Sequence, residues 1–233
     1  MRYKTILFDA DGTLLDFSAA QNQAFLMSCA QFQIADGQLM LKQYDKINQA
    51  LWEQLERKEI TRTQLIKTRF KLFFEQMGIA GIDPTDFGRH YAQGLAQGFN
   101  LIEGAISVLR SLQPYFQLAV ITNGITEIQK SRLAGAGLDH YFSNIIISEE
   151  IGFSKPDSAF FEQALLRCGI ADFTQALVVG DSLSADIAGG NSYGLDTCWY
   201  NPQRAPIPEA PKPTYTIENL YALLSLLKTP AHL

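Results

Sequence analysis

Ile6-Leu7-Phe8-Asp9-Ala10-Asp11-Gly12-Thr13 sets two carboxylates directly behind a short apolar run. The run is β-branched at one end and aromatic at the other, which reads as a buried strand. Asp9 and Asp11, two residues apart just past that strand, can face one pocket. Gly12 then lets backbone N–H groups approach an anion. A nucleophile, a second acid or base and a metal-binding pair fit in this short space.

Working outward, residues 17 to about 100 carry a helical pattern with no convincing strand. Met40, Tyr44, Ile47, Leu51 and Leu55 form one stripe at spacings of three and four, and Ile66, Phe70, Phe73, Phe74 and Met77 form another. Gly78 suits a helix stop, and Asp83-Pro84 a helix start with a capping carboxylate and proline at the first position.

Beyond residue 100 the rhythm becomes alternating helix and strand. Helices are predicted over 105–112, 126–134, 158–168 and 184–193, with strands at Leu118–Ile121, Ile145–Ile147, Leu177–Val179 and Thr197–Tyr200. Residues 202–213 hold five prolines and suit an extended surface connection, before a last helix over 218–227. This succession predicts an α/β fold, a doubly wound parallel sheet with helices on both faces. The sheet domain takes residues 1–16 and 100–233, and an inserted helical domain takes 17–99.

A chain of 233 residues, 47% hydrophobic, can build a large core, and 18% charged residues argue against a long disordered region. A net charge of −5 disfavours a polymeric nucleic acid as partner. Cys29, Cys168 and Cys198 form no C-x-x-C pair, so zinc and a disulfide framework are unsupported and a reducing, cytoplasmic setting is expected. No signal peptide is apparent, and no apolar run reaches the roughly 18–20 residues of a membrane span. His90, His140 and His232 lack a partner pattern and read as structural or exposed. There is no Walker A loop, and Gly189, Gly190 and Gly194 suit helix packing and a helix stop, not a dinucleotide fingerprint.

In open parallel sheets, ligands sit beyond the carboxyl ends of the strands. Four such ends carry polar groups here: Asp9 and Asp11; Thr122-Asn123-Gly124; Lys155-Pro156-Asp157; and Gly180-Asp181-Ser182. Taken singly, each has a plainer reading as a turn or helix cap, with Asp157 and Ser184 as capping residues. Taken together they converge. Carboxylates crowded into one pocket repel, a divalent cation relieves that, and oxygen-only ligands favour magnesium, with manganese as the alternative. A lysine and a hydroxyl beside glycine suit phosphate oxygens, so the set points to phosphoryl transfer.

These four motifs in order, with Asp186 behind the last, resemble those of the haloacid dehalogenase superfamily, and the helical insert resembles that family's type 1 cap. The resemblance implies a Rossmann-like core. It makes Asp9 the nucleophile that forms an aspartyl-phosphate and Asp11 the group that protonates the leaving oxygen and then activates water. Thr122 and Lys155 would hold the phosphoryl oxygens, with N–H groups around Asp11, Gly12 and Asn123. Asp9, the Asp11 main-chain carbonyl and Asp181 would hold magnesium, and Asp186 would reach a metal-bound water or orient Lys155. The family's dehalogenases usually lack the second aspartate of the first motif, so Asp11 favours a phosphatase.

Asn48-Gln49-Ala50-Leu51-Trp52, Arg69-Phe70 and Ile147-Ser148-Glu149-Glu150-Ile151-Gly152 further resemble the bacterial pyrimidine 5′-nucleotidase branch. A small phosphorylated substrate, a nucleoside monophosphate, is therefore expected. Trp52 would stack on the base, and Asn48 or Arg69 would bond its edge or the sugar. The plainer readings are packing for Trp52, a solvated or ion-paired charge for Arg69 and a solvated amide for Asn48. The alternatives are a sugar-phosphate phosphatase, a phosphomutase or a receiver-like phosphoacceptor module. A monomer or weak homo-oligomer is expected.

Overall fold

The computed structural model describes residues 2–228. The chain divides into two compact units, one formed by the residues up to Phe17 and from Phe99 onward, the other by Ser18–Gly98. In chain order, β1 (Thr5–Phe8) is followed by α1 (Phe17–Gln31), α2 (Gly37–Glu56), α3 (Arg62–Met77) and α4 (Pro84–Ala96). Then come α5 (Ala105–Leu112), β2 (Gln117–Thr122), α6 (Thr126–Gly135), β3 (Asn144–Ile147), the short α7 (Ser148–Ile151) and α8 (Ser158–Arg167). β4 (Ala176–Gly180), a π-helical turn over Leu183–Ile187, α9 (Ala188–Tyr193), β5 (Asp196–Tyr200), β6 (Tyr215–Ile217) and α10 (Ala222–Leu226) complete it.

The strands form one parallel sheet in the order β3-β2-β1-β4-β5-β6. β1 is central because its side chains are buried on both faces. Ile6 and Phe8 join Leu118, Val120, Leu177 and Val179 under α5 and α10, while Leu7 joins Ala119, Ile121 and Val178 under α8. Phe8 is in register with Val120 on one side and Val179 on the other, so the ends of β2 and β4 flank Asp9. The strand order reverses at β1 and β4, which is where a doubly wound sheet opens a crevice.

The helical unit has an aromatic core. Tyr44 stacks on Phe25 at 4.5 Å and on Phe70 at 5.5 Å, with Phe73, Phe87 and Tyr91 edge-on around them. Its boundaries follow local chemistry. Thr61 and Gln64 form a reciprocal capping box, Gly78 closes α3 at φ 68°, and Asp83 caps α4 with Pro84 behind it.

The predicted stripes are shifted by one residue at their starts. Leu41, not Met40, and Leu65, not Ile66, are buried, since neighbouring apolar positions differ by about 100° around a helix. Leu55 and Met77 are only partly covered. The helix expected over 184–193 begins as the π-helical turn, and its cap is Ser182, which accepts from Ala185 N–H; Ser184 does not fill that role. β6 was not expected, because it is three residues long and buries only Ile217 fully. The last helix starts at Ala222 and not at Glu218; ahead of it the Asn219 side chain accepts from the Ala222 N–H at 3.1 Å in a turn. His90 bonds Ser28 through Nδ1 at 3.0 Å, His140 is exposed, and His232 lies outside the described residues. Among the described residues no helix is long and apolar enough to cross a membrane.

Candidate active site

Asp9 leaves β1 with its N–H still donating to Val179 carbonyl at 2.8 Å, so its backbone is held by the sheet. The chain then turns tightly, with Leu14 and Leu15 N–H groups returning to the Ala10 carbonyl. Gly12 sits at φ 88°, where any Cβ would overlap the Asp181 carboxylate; only glycine fits.

Lys155 is 2% exposed and its ammonium has three partners: Asp9 Oδ1 at 2.5 Å, Asp186 Oδ1 at 2.7 Å and Ile121 carbonyl at 3.0 Å. All three donors are therefore committed. Asn123 fixes the Lys155 backbone from both sides, its Oδ1 accepting from Lys155 N–H and its Nδ2 donating to Lys155 carbonyl, each at 2.9 Å. Thr122 Oγ1 accepts from Gly124 N–H at 3.1 Å and from Gln129 Nε2 at 2.7 Å. With both lone pairs used, its hydroxyl proton is left to donate to an anion.

Asp9, Asp181 and Asp186 bring carboxylate oxygens within 4.8 Å of one another. Asp186 accepts from Lys155 Nζ through Oδ1 and from Ser182 N–H through Oδ2. Asp181 Oδ1 accepts from Thr13 at 3.1 Å, and Trp199 Nε1 holds its carbonyl at 2.9 Å. Burial pushes Asp9 well above the usual carboxylate range, with Lys155 opposing it. Burial, then Asp186, pushes Asp181 up to about 7. Burial works against the Lys155 charge, but Asp186 and Asp9 outweigh it and the ammonium stays protonated. This all-oxygen set, with excess negative charge, fits a divalent cation.

The structure thus brings Asp9, Asp11, Gly12, Thr122, Asn123, Lys155, Asp181 and Asp186 together within the sheet unit. Asn48, Trp52 and Arg69 belong to the helical unit. Arg69 and Asn48 are buried, which corrects the readings of a solvated charge and a solvated amide. Arg69 Nη1 donates to Asn48 Oδ1 at 3.1 Å, and Asn48 Nδ2 to Gln21 Oε1 at 2.5 Å. Trp52 is partly exposed.

Two residues at the site escape sequence reasoning: Gln129 and Arg132 on α6, both in contact with Asp11. They share the inward face with Ile128 and Leu133, and that shared face is the one signal that marks them as buried.

A family model of haloacid dehalogenase-like hydrolases matches residues 3–194. The chain belongs to this family. Its members related to this chain include YfnB, a HAD-hydrolase of Bacillus subtilis, 39% identical over 98% of both chains. The pyrimidine 5′-nucleotidase PynA of Streptococcus pneumoniae is 40% identical over 97% of this chain and 96% of its own. The pyrimidine 5′-nucleotidase YjjG of Escherichia coli is 34% identical over 97% and 99%. The crystal structure of YfnB, bound to magnesium, matches with a TM-score of 0.91 at 38% identity, covering 97% of this chain and 99% of that one. The protein is therefore a HAD-like hydrolase, with the six-stranded core and acidic cluster described above.

Proposed function

We propose that this hydrolase is a phosphatase that cleaves phosphate monoesters through an aspartyl-phosphate, acting on pyrimidine nucleoside 5′-monophosphates. The observation that carries the chemistry is the pairing of Asp9, whose Oδ1 is held by the Lys155 ammonium, with a second carboxylate, Asp11, two residues on. The nucleotide as substrate is supported by the activity of the two full-length relatives, PynA and YjjG.

In this reading Asp9 attacks phosphorus while Asp11 gives its proton to the departing ester oxygen. Thr122 donates its free hydroxyl proton to a phosphoryl oxygen. Lys155 exchanges one of its three contacts for another phosphoryl oxygen, its position kept by Asn123 and Asp186. Asp11, now a carboxylate, takes a proton from water as the water oxygen bonds phosphorus and the Asp9 O–P bond breaks, freeing Asp9 and inorganic phosphate. Asp9, the Asp11 carbonyl and Asp181 would hold magnesium or, in its place, manganese, which neutralises charge on the transferring group. Of the three residues of the helical unit, the partly exposed Trp52 is the one expected to contribute to the choice of leaving group, since Asn48 and Arg69 are buried and bonded to each other.

Phosphate release from UMP, dTMP and hexose phosphates, with and without EDTA, tests this. The expected result is preference for the nucleotides and loss of turnover in EDTA. Equal rates on hexose phosphates would return the protein to the sugar-phosphate reading. Trp52→Ala is expected to raise KM for the nucleotides far more than for a generic phosphate ester.

A further inference from the structure

α6 carries two side chains that belong to none of the four motifs. Arg132 is fully buried and ion-paired through Nη1 with Asp11 Oδ1. Gln129, 1% exposed, donates from Nε2 to Asp11 Oδ2 at 2.9 Å and to Thr122 Oγ1 at 2.7 Å, and its Oε1 accepts from Arg132 at 3.3 Å. Gly124 makes room for this, since a Cβ there would overlap the Gln129 side chain. The Phe17 ring lies 5.7 Å from the Arg132 guanidinium. Both oxygens of Asp11 are thus held from one helix, and that helix also holds the hydroxyl of Thr122.

A buried guanidinium is costly unless it is paired, and the Nη1 contact to Asp11 Oδ1 supplies that pairing for Arg132. We propose that Arg132 and Gln129 are positioning residues for the proton-transfer step. Arg132 pins Oδ1 of Asp11, which leaves Oδ2 as the working oxygen. Gln129 links that oxygen to Thr122, so acid and phosphate donor are set at a fixed separation. A small misplacement of a catalytic group is costly in rate, which is the reason to build such a clamp. The inference rests on the role given to Asp11 above. In the first half-reaction the ester P–O bond breaks as the Asp9 O–P bond forms, and the proton on Oδ2 passes to the departing oxygen. In the second, water gives a proton to Oδ2 as its oxygen bonds phosphorus and the Asp9 O–P bond breaks, releasing inorganic phosphate.

The test compares kcat/KM on UMP, whose alkoxide needs a proton to leave, with that on p-nitrophenyl phosphate, whose phenolate does not. Asp11→Asn is the reference, beside Arg132→Met, Arg132→Lys and Gln129→Met, with thermal unfolding of each. The expected loss for Arg132→Met is about 100-fold on UMP and only a few-fold on the aryl ester, with partial rescue by lysine. Gln129→Met is expected to show the same selectivity more weakly and to weaken binding of inorganic phosphate, measured by calorimetry. Arg132→Lys is expected to leave that binding unchanged. Equal losses on both esters in the α6 variants, with Asp11→Asn still selective, would overturn the clamp and leave the role of Asp11 standing. Equal losses in Asp11→Asn itself would overturn that role and the clamp with it. Where Arg132→Met does not fold, unchanged selectivity in both Arg132→Lys and Gln129→Met overturns the proposal.

Discussion

In the sheet unit the buried Lys155 lies 2.5 Å from Asp9 and 2.7 Å from Asp186; in the helical unit the buried Arg69 meets no carboxylate among the described residues. Arg69 gives one hydrogen bond to Asn48, leaves Nε without a partner, and lies 4.7 Å from the ring of Tyr91 and 4.9 Å from that of Phe70. One cation is paired with opposite charge, the other is solvated by an amide oxygen and by aromatic faces. The first arrangement makes stability and chemistry depend on the same three side chains. The second keeps a polar group inside an aromatic core without tying it to an acid, so it can be changed at smaller cost.

The contrast can be broken experimentally. The largest effect expected is from Asp9→Asn, which should lower turnover of UMP by about 10⁴-fold or more while the protein still folds. Retained turnover would remove Asp9 as nucleophile.

Next is Lys155→Met, which leaves Asp9 and Asp186 buried and facing each other without a cation. Urea unfolding should show a loss of about 3–5 kcal/mol, the usual cost of removing one partner of a buried ion pair. Arg69→Met should cost less, about 1–2 kcal/mol, because it strands only the Asn48 acceptor. If the two losses prove equal, the difference between the units is not one of charge pairing.

A last effect, read by pH and not by substitution, concerns the thiols. Burial pushes Cys29 up to about 11, Cys168 to about 11 and Cys198 to about 12 from an ordinary value of 9.0. Unfolded thiols ionise first as pH rises. Their contribution to stability is therefore complete below pH 9 and is lost as pH climbs through the folded values. The urea midpoint should fall between pH 8 and pH 10, and a disulfide reagent at pH 8 should react only on unfolding. Earlier reaction of Cys29, in the helical unit, than of Cys198 would mean that this unit opens by itself.

Much of the sheet unit was legible because its signals are local. A three-residue apolar run, a polar strand end and a capping Asp157 each act within a few residues, and all were found where expected. β6 and the start of α10 were less legible, since a three-residue strand adjoining a proline-rich connection owes its existence to the neighbour it pairs with. Along α6 the buried Gln129 and Arg132 share a face with Ile128 and Leu133, but nothing local in the sequence ties them to Asp11.

The order of the polar loops, and with it the chemistry they imply, was written in the sequence by itself, because strand and turn propensities act over short distances. Tertiary structure alone decided that Arg132 is fully buried and bound to Asp11, 121 positions away, and that Arg69 and Asn48 are interior. The buried charge of Arg132 is tolerable because a distant segment supplies Asp11, and no local window of sequence contains both.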